Sequence, residues 1–133
     1  MAYGDLLAFS ADDIQLLDGR KIISSNRKKT DQSFISLLLP EAEKILLKYD
    51  NKLPVISNAK YNDYLKLLGH SAGISKKLTT HVARHTYATY LLNKGISISA
   101  VSRAMGHSTT QMTQHYAKLL GKTVIDEMAD KFL

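Results

Sequence analysis

The chain has 133 residues, of which 44% are apolar and 23% charged, so an ordinary folded domain with one hydrophobic core is expected. No apolar run reaches the roughly 18 residues of a membrane span, and the N-terminus shows no basic segment followed by a long apolar one; neither a membrane anchor nor a signal peptide is expected. Cysteine is missing, which excludes disulfides and thiolate metal sites, and the formal net charge of +6 points to a polyanionic partner.

Residues 2–9 read as the end of a helix, with no cap before it, so the chain is expected to be a piece of a longer protein. Ser10, Asp12 and Asp13 mark a break or a short turn. Asp18-Gly19 then stands between two short apolar runs, a strong hairpin signal. Phe34–Leu39 is short, apolar and stopped by Pro40, and reads as a further strand. A small antiparallel sheet is therefore predicted over about 13–39, with Arg27–Gln32 as a second, polar turn.

From Pro40 the pattern turns helical. Pro40 suits a helix start, and Ala42, Ile45, Leu46 and Tyr49 recur at helical spacing. Ser57–Leu68 carries Tyr61, Tyr64, Leu65 and Leu68 on one stripe, with Gly69 as the expected stop. Residues 70–78, with Gly73 and two lysines, read as a loop or a short helix turn. Thr79 or Thr80 caps the next helix, which runs to Asn93 with Gly95 beyond it. Ser97 or Ser99 opens a short helix with Ile98, Val101 and Met105 inward, ended by Gly106. Ser108 or Thr109 opens another, through about Leu119. After a break at Gly121, Thr123–Phe132 forms a last amphipathic helix with Val124, Met128 and Phe132 aligned. The expected fold class is mainly α with a small antiparallel β-sheet near the N-terminus.

The positive charge is local. Residues 20–29, RKIISSNRKK, hold five cations and no acid, and Lys76 and Lys77 come shortly before His81. Arg27, Lys28, Lys76 and Lys77 are candidate nucleic-acid contacts, against the plainer reading of a solvated basic surface.

His81, Arg84 and His85 crowd the start of one helix. A helix N-terminus already carries partial positive charge, so more cations are unfavourable there unless an anion docks. Three positions apart, His81 and Arg84 share a face and both can donate to one tetrahedral anion. His81 and His85 also have the i, i+4 spacing of a zinc-protease helix, but Val82 stands where that motif needs Glu, and Arg84 would repel a dication. No metal and no cofactor are expected. His107, between Gly106 and Ser108, lies beside the free N–H groups of the following helix, again placed for an anion. Tyr116 is one of seven tyrosines and by itself signals little beyond packing.

Taken together, His81-x-x-Arg84-His85, then Met105-Gly106-His107-Ser108, then Tyr116 resemble the tyrosine recombinases, or phage-type integrases. The likeness runs from about Ala2 to the end and is densest over 79–120, and it is similar in particular to integrases of mobile elements in Bacteroides-like bacteria. The resemblance implies the C-terminal catalytic domain of that family over residues 1–133, with N-terminal DNA-clamping domains lying outside this piece.

It implies site-specific recombination of double-stranded DNA in a bacterial cytoplasm, at the nucleoid. Tyr116 would attack a phosphodiester and form a 3′-phosphotyrosyl link. Arg84, His81 and His107 would bind the scissile phosphate, and His81 would also assist proton transfer. Lys29, in a Lys-Thr pair with Thr30, would protonate the leaving 5′-oxygen; Lys28 is its alternative. His85 would add to the DNA-binding surface. The final helix would pack on a neighbouring copy on DNA, or else on its own domain.

One departure stands out. The family's first catalytic arginine precedes an aromatic, a small residue and an acid; here Tyr3, Gly4 and Asp5 fit those places and Ala2 falls where Arg is expected. Two other functions compete: a non-catalytic helix-turn-helix-like DNA-binding module around Gly95, and a type IB topoisomerase-like relaxing enzyme.

Overall fold

The computed structural model of the chain describes residues 1–118 and 121–133. Its elements are α1 (Tyr3–Leu7), a 3₁₀ turn (Ala11–Asp13), β1 (Ile14–Leu17), β2 (Arg20–Asn26), β3 (Ser33–Leu37), α2 (Pro40–Lys48), α3 (Asn58–Ser71), α4 (Thr80–Asn93), α5 (Ile98–Met105), α6 (Thr110–Lys118) and α7 (Gly121–Phe132). This is the mainly helical architecture with one small sheet that the sequence predicts.

The sheet is antiparallel in the order β1-β2-β3. Asp18 and Gly19 both take positive φ, 47° and 73°, which is the backbone a two-residue hairpin turn demands. The turn sets the register, pairing Leu17 with Arg20 and Ile14 with Ile23. A longer turn joins β2 to β3. The Arg27 N–H donates to Gln32 O (2.8 Å), the Asp31 N–H donates to Arg27 O (2.8 Å), and Asp31 adopts φ 54°. Ile22 and Phe34 face inward, whereas Leu16 and Leu17 on the edge strand are exposed. β3 ends at Leu37, two residues short of the expected Leu39: the Leu38 N–H still donates to Lys21 O (3.0 Å), and Leu39 is already the N-cap residue of α2, ahead of Pro40.

Side-chain caps set two of the helix starts that matter for the site. Thr79 accepts from the Val82 N–H (3.2 Å) ahead of α4, and Ser97 accepts from the Ala100 N–H (3.2 Å) ahead of α5. Gly106 closes α5 at φ 63°, the left-handed position, and the His107 N–H donates back to Ser102 O (3.0 Å).

The central packing is formed by α4, α5 and α6. Ala88, Val101, Met105 and Tyr116 are buried together, and Tyr87, Leu91 and Leu92 pack against them. β3 lies against α5, and the Ser36 and Tyr87 hydroxyls share a hydrogen bond of 2.9 Å that ties β3 to α4.

Several expectations are corrected. Gly69 does not end α3; the helix runs on to Ser71, and Gly73 carries the positive φ of 67°. Gly69 is buried under Leu78, whose Cδ1 would lie 3.3 Å from an added Cβ, so close approach and not chain reversal explains it. The apolar stripes of α2 and α3 are only partly covered. Leu46 is buried, while Ile45, Tyr49, Tyr64 and Leu68 are exposed. Gly121 is the first residue of α7, not a break before it. The expected end of α6 at Leu119, and the side chain of Val124, lie outside the described residues. Met128 and Phe132 are exposed.

Candidate active site

Three separate elements deliver the polar side chains to one place. The first turns of α4 carry His81, Arg84 and His85. The left-handed Gly106 aims His107 back toward α4. α6 presents Tyr116 two turns after its start. Ring-centroid distances describe the result: His85 is 5.1 Å from Tyr116, His107 is 6.3 Å from Tyr116 and nearly parallel to it, and His81 meets His85 edge-on at 4.7 Å. The Arg84 guanidinium donates to the Met105 carbonyl, at the end of the helix that leads into His107. Tyr116 is only 8% exposed, so its ring belongs both to the apolar core and to the polar cluster.

The ring of His107 is fixed by its Nδ1, which is 2.8 Å from Thr113 Oγ1, and Thr113 is fully buried. That leaves Nε2 as the nitrogen for a ligand. Burial pushes the His107 pKa down, and the nearby Arg84 and Arg27 charges push it the same way. Burial also lowers the Arg84 pKa, with Arg27 adding to the effect and Asp5 and Tyr116 opposing it. His85 is lowered by burial first, then by His81, His115 and Arg84. The lowering causes share one meaning: the site is dense in positive charge and partly dry.

Of the residues predicted from sequence, His81, Arg84, His85, His107 and Tyr116 are brought together. Lys28 and Lys29 lie exposed on the β2–β3 turn, which borders the cluster, without being drawn into it. Lys76 and Lys77 line a separate hollow with Gly69 and Leu78, on the loop between α3 and α4. Arg27 differs from the expectation of an open basic surface. Its side chain is 13% exposed, with Nε 3.7 Å from Asp5 Oδ2.

The structure adds Asp5, Thr113 and His115 to the residues around the site. Asp5 is buried and organises the region: Oδ1 accepts the Lys28 N–H (2.9 Å) and Oδ2 accepts the Ala2 N–H (3.2 Å), which ties α1 to the β2–β3 turn. An acid in a short apolar helix beside a basic hairpin was the available signal. His115 meets Tyr116 edge-on at 5.9 Å, and nothing in the sequence distinguishes it from a surface histidine.

Chemically, the cluster offers a phenol, a guanidinium and several imidazoles around one spot. Clustered cations suit an anionic transition state, and a phenol with pKa about 10 needs such company to act as a nucleophile near neutral pH. Among the described residues no group of three His, Asp or Glu side chains gathers to hold a metal, and no helix is long and apolar enough to cross a membrane.

Comparison with known proteins points the same way. The sequence profile of the phage integrase family matches residues 3–122. The tyrosine recombinase XerD of Staphylococcus haemolyticus is 41% identical over 68 residues, which cover 51% of this chain and 23% of that protein. Among solved structures, the XerA recombinase superposes with a TM-score of 0.73 at 28% identity, over 98% of this chain and 52% of its own. The XerH site-specific recombinase bound to its palindromic difH substrate shares the fold, with a TM-score of 0.70 at 19% identity, over 92% of this chain and 40% of its own. The chain thus spans about half the length of XerA, and the 68 residues matched to that XerD cover 23% of its length.

Proposed function

The chain belongs to the phage integrase family, and from that premise we propose that it is the catalytic domain of a tyrosine site-specific recombinase acting on double-stranded DNA. The observation that carries this reading is the position of Tyr116, packed ring to ring with His85 and His107 beside Arg84. A tyrosine that served the core alone would have no need of that company.

In this reading the Tyr116 oxygen attacks the scissile phosphorus and loses its proton, with His81 assisting. The bond from phosphorus to the 5′-oxygen breaks, and Lys29 protonates that oxygen as it leaves. Arg84 and His107 hold the non-bridging oxygens, where negative charge grows in the transition state. The phosphodiester energy is kept in the 3′-phosphotyrosyl bond. A 5′-hydroxyl from a second strand reverses the attack, so strands are exchanged without ATP. Lys28, Lys76 and Lys77 contact the backbone away from the reacting phosphate. α7 exposes Ile125, Met128 and Phe132 along one face, an apolar row that a second copy on DNA would cover. The DNA substrate puts the protein in the bacterial cytoplasm.

The test is covalent capture. The protein is incubated with a pool of nicked duplexes randomised in sequence, and adducts are separated on a denaturing gel. The expected result is a protein–DNA adduct that disappears in Tyr116→Phe. An adduct that survives this substitution overturns the assignment. Relaxation of supercoiled plasmid with no strand exchange between captured sites would favour the topoisomerase reading instead.

A further inference from the structure

The β2–β3 turn carries three cations in a row, and only the first is turned inward. Lys28 and Lys29 are exposed, whereas the Arg27 side chain is 13% exposed. Its stem lies on Gly106: an added Cβ there would be 2.9 Å from Arg27 Cγ and 2.6 Å from Cδ. Phe34 closes the other side, its Cβ 3.2 Å from the same point. Arg27 is therefore held at the residue that aims His107.

Its Nε–H is left unsatisfied there. The carboxylate paired with it, Asp5, stands 3.7 Å from Nε, too far for a hydrogen bond, and both Asp5 oxygens already accept backbone N–H groups. Arg27 Nε is buried without a hydrogen-bond partner. A second guanidinium, Arg84, is close enough for the two charges to act on each other and on His107. Two guanidinium groups facing one carboxylate leave a net positive charge in a partly dry place, which is costly unless an anion enters. The stem and Nε of Arg27 are thus withdrawn from water, unlike the side chains of Lys28 and Lys29.

We propose that Arg27 is a catalytic residue, whose guanidinium donates to a non-bridging oxygen of the same phosphodiester that Arg84 binds. This rests on the recombinase reading and deepens it. Arg27 and Arg84 approach from different elements, the hairpin and α4, and clamp one phosphate between them. The planar fork of each suits two phosphate oxygens better than a lysine ammonium would. Asp5 keeps Arg27 in place without neutralising it fully, because its oxygens are shared with the backbone.

Two measurements test the assignment. In the first, the arginine Nε–H resonances of the protein are followed while dimethyl phosphate, a diester with the same charge, is added. Arg27 and Arg84 are expected to shift together along one saturation curve. A shift of Arg84 while Arg27 stays still overturns the proposal. In the second, adduct formation on the captured nicked duplex is compared for wild type, Arg27→Gln and Arg27→Lys. The scissile group is either the natural phosphodiester or an uncharged methylphosphonate. Arg27→Gln is expected to lose about 10²-fold on the phosphodiester, and less than about tenfold on the methylphosphonate, where no charge needs to be neutralised. Arg27→Lys is expected to fall between. Equal losses on both substrates would assign Arg27 a structural role and overturn the proposal. A wild-type rate in Arg27→Gln overturns it while leaving the recombinase reading intact. An absence of any adduct from wild type overturns the recombinase reading itself, and the dimethyl phosphate titration still decides whether Arg27 binds a phosphodiester.

Discussion

Arg27 lies on the bare α-carbon of Gly106, so close that a methyl group there would sit 2.6 Å from its Cδ. The contact joins the basic hairpin to the turn that presents His107. It also makes Gly106 answer to two demands, a left-handed φ of 63° and an open face.

Gly106→Ala is therefore expected to destabilise on both counts. The left-handed conformation costs a non-glycine residue about 1–2 kcal/mol, and the methyl must also displace the Arg27 stem. Thermal unfolding should show a lowered Tm, and the His107 ring resonances should move as the turn adjusts. An unchanged Tm would mean that the close approach of Arg27 is not maintained in solution.

Asp5 joins α1 to the β2–β3 turn and faces two guanidinium groups. Asp5→Asn keeps an acceptor for the Lys28 N–H but removes the charge. Its cost is expected at about 1–3 kcal/mol, the range for leaving a buried polar group badly matched. Denaturant unfolding measures it. A variant as stable as wild type would show that the arginines do not depend on the carboxylate.

The pH dependence follows from His107. Its folded pKa is depressed by burial and by the Arg84 and Arg27 charges, below the ordinary value of about 6.5. The unfolded chain thus binds the proton more readily. The associated stability is fully present above the unfolded pKa and is lost as pH falls through the folded one. His85 is shifted in the same direction and adds to the loss. NMR titration should place the His107 midpoint below its ordinary value, and Arg84→Gln should raise it. Dimethyl phosphate should raise it too, so anion affinity should grow as pH falls through the bound-state midpoint. A midpoint that ignores both changes would contradict the charge crowding described here.

For DNA binding, Lys28, Lys76 and Lys77 are exposed and tethered to nothing that would compete with a phosphate among the described residues. Each substitution to Gln is expected to reduce the slope of log affinity against log salt by about one, and evenly across sequences. Fluorescence anisotropy over a salt series reads this directly. A slope left unchanged by Lys76→Gln and Lys77→Gln would remove the α3–α4 loop from the interface.

The parts of this protein that were legible in its sequence are those whose cause is local. Asp18-Gly19 forces a tight turn because both residues accept positive φ, and the strands beside it follow. Thr79 and Ser97 cap their helices with their own oxygens, and Gly106 ends one by going left-handed. The candidate site came into view through the family resemblance that His81, Arg84, His107 and Tyr116 carry together, not through any one of them. Gly69 misled because its reason is the distant side chain of Leu78, not its own backbone freedom. The stripes of α2 and α3 likewise show which face is apolar and not whether anything covers it.

Only the tertiary structure decided what each charge in the hairpin does. Three adjacent cations look alike as a string, and the direction each takes depends on what waits across the fold. Gly106 leaves a gap there and Asp5 a carboxylate, both far along the chain from Arg27, and between them they draw one arginine in and leave the two lysines out. Turn and cap chemistry acts over a few residues and is written in order; burial of a charge is settled by surfaces that meet only once the chain has folded.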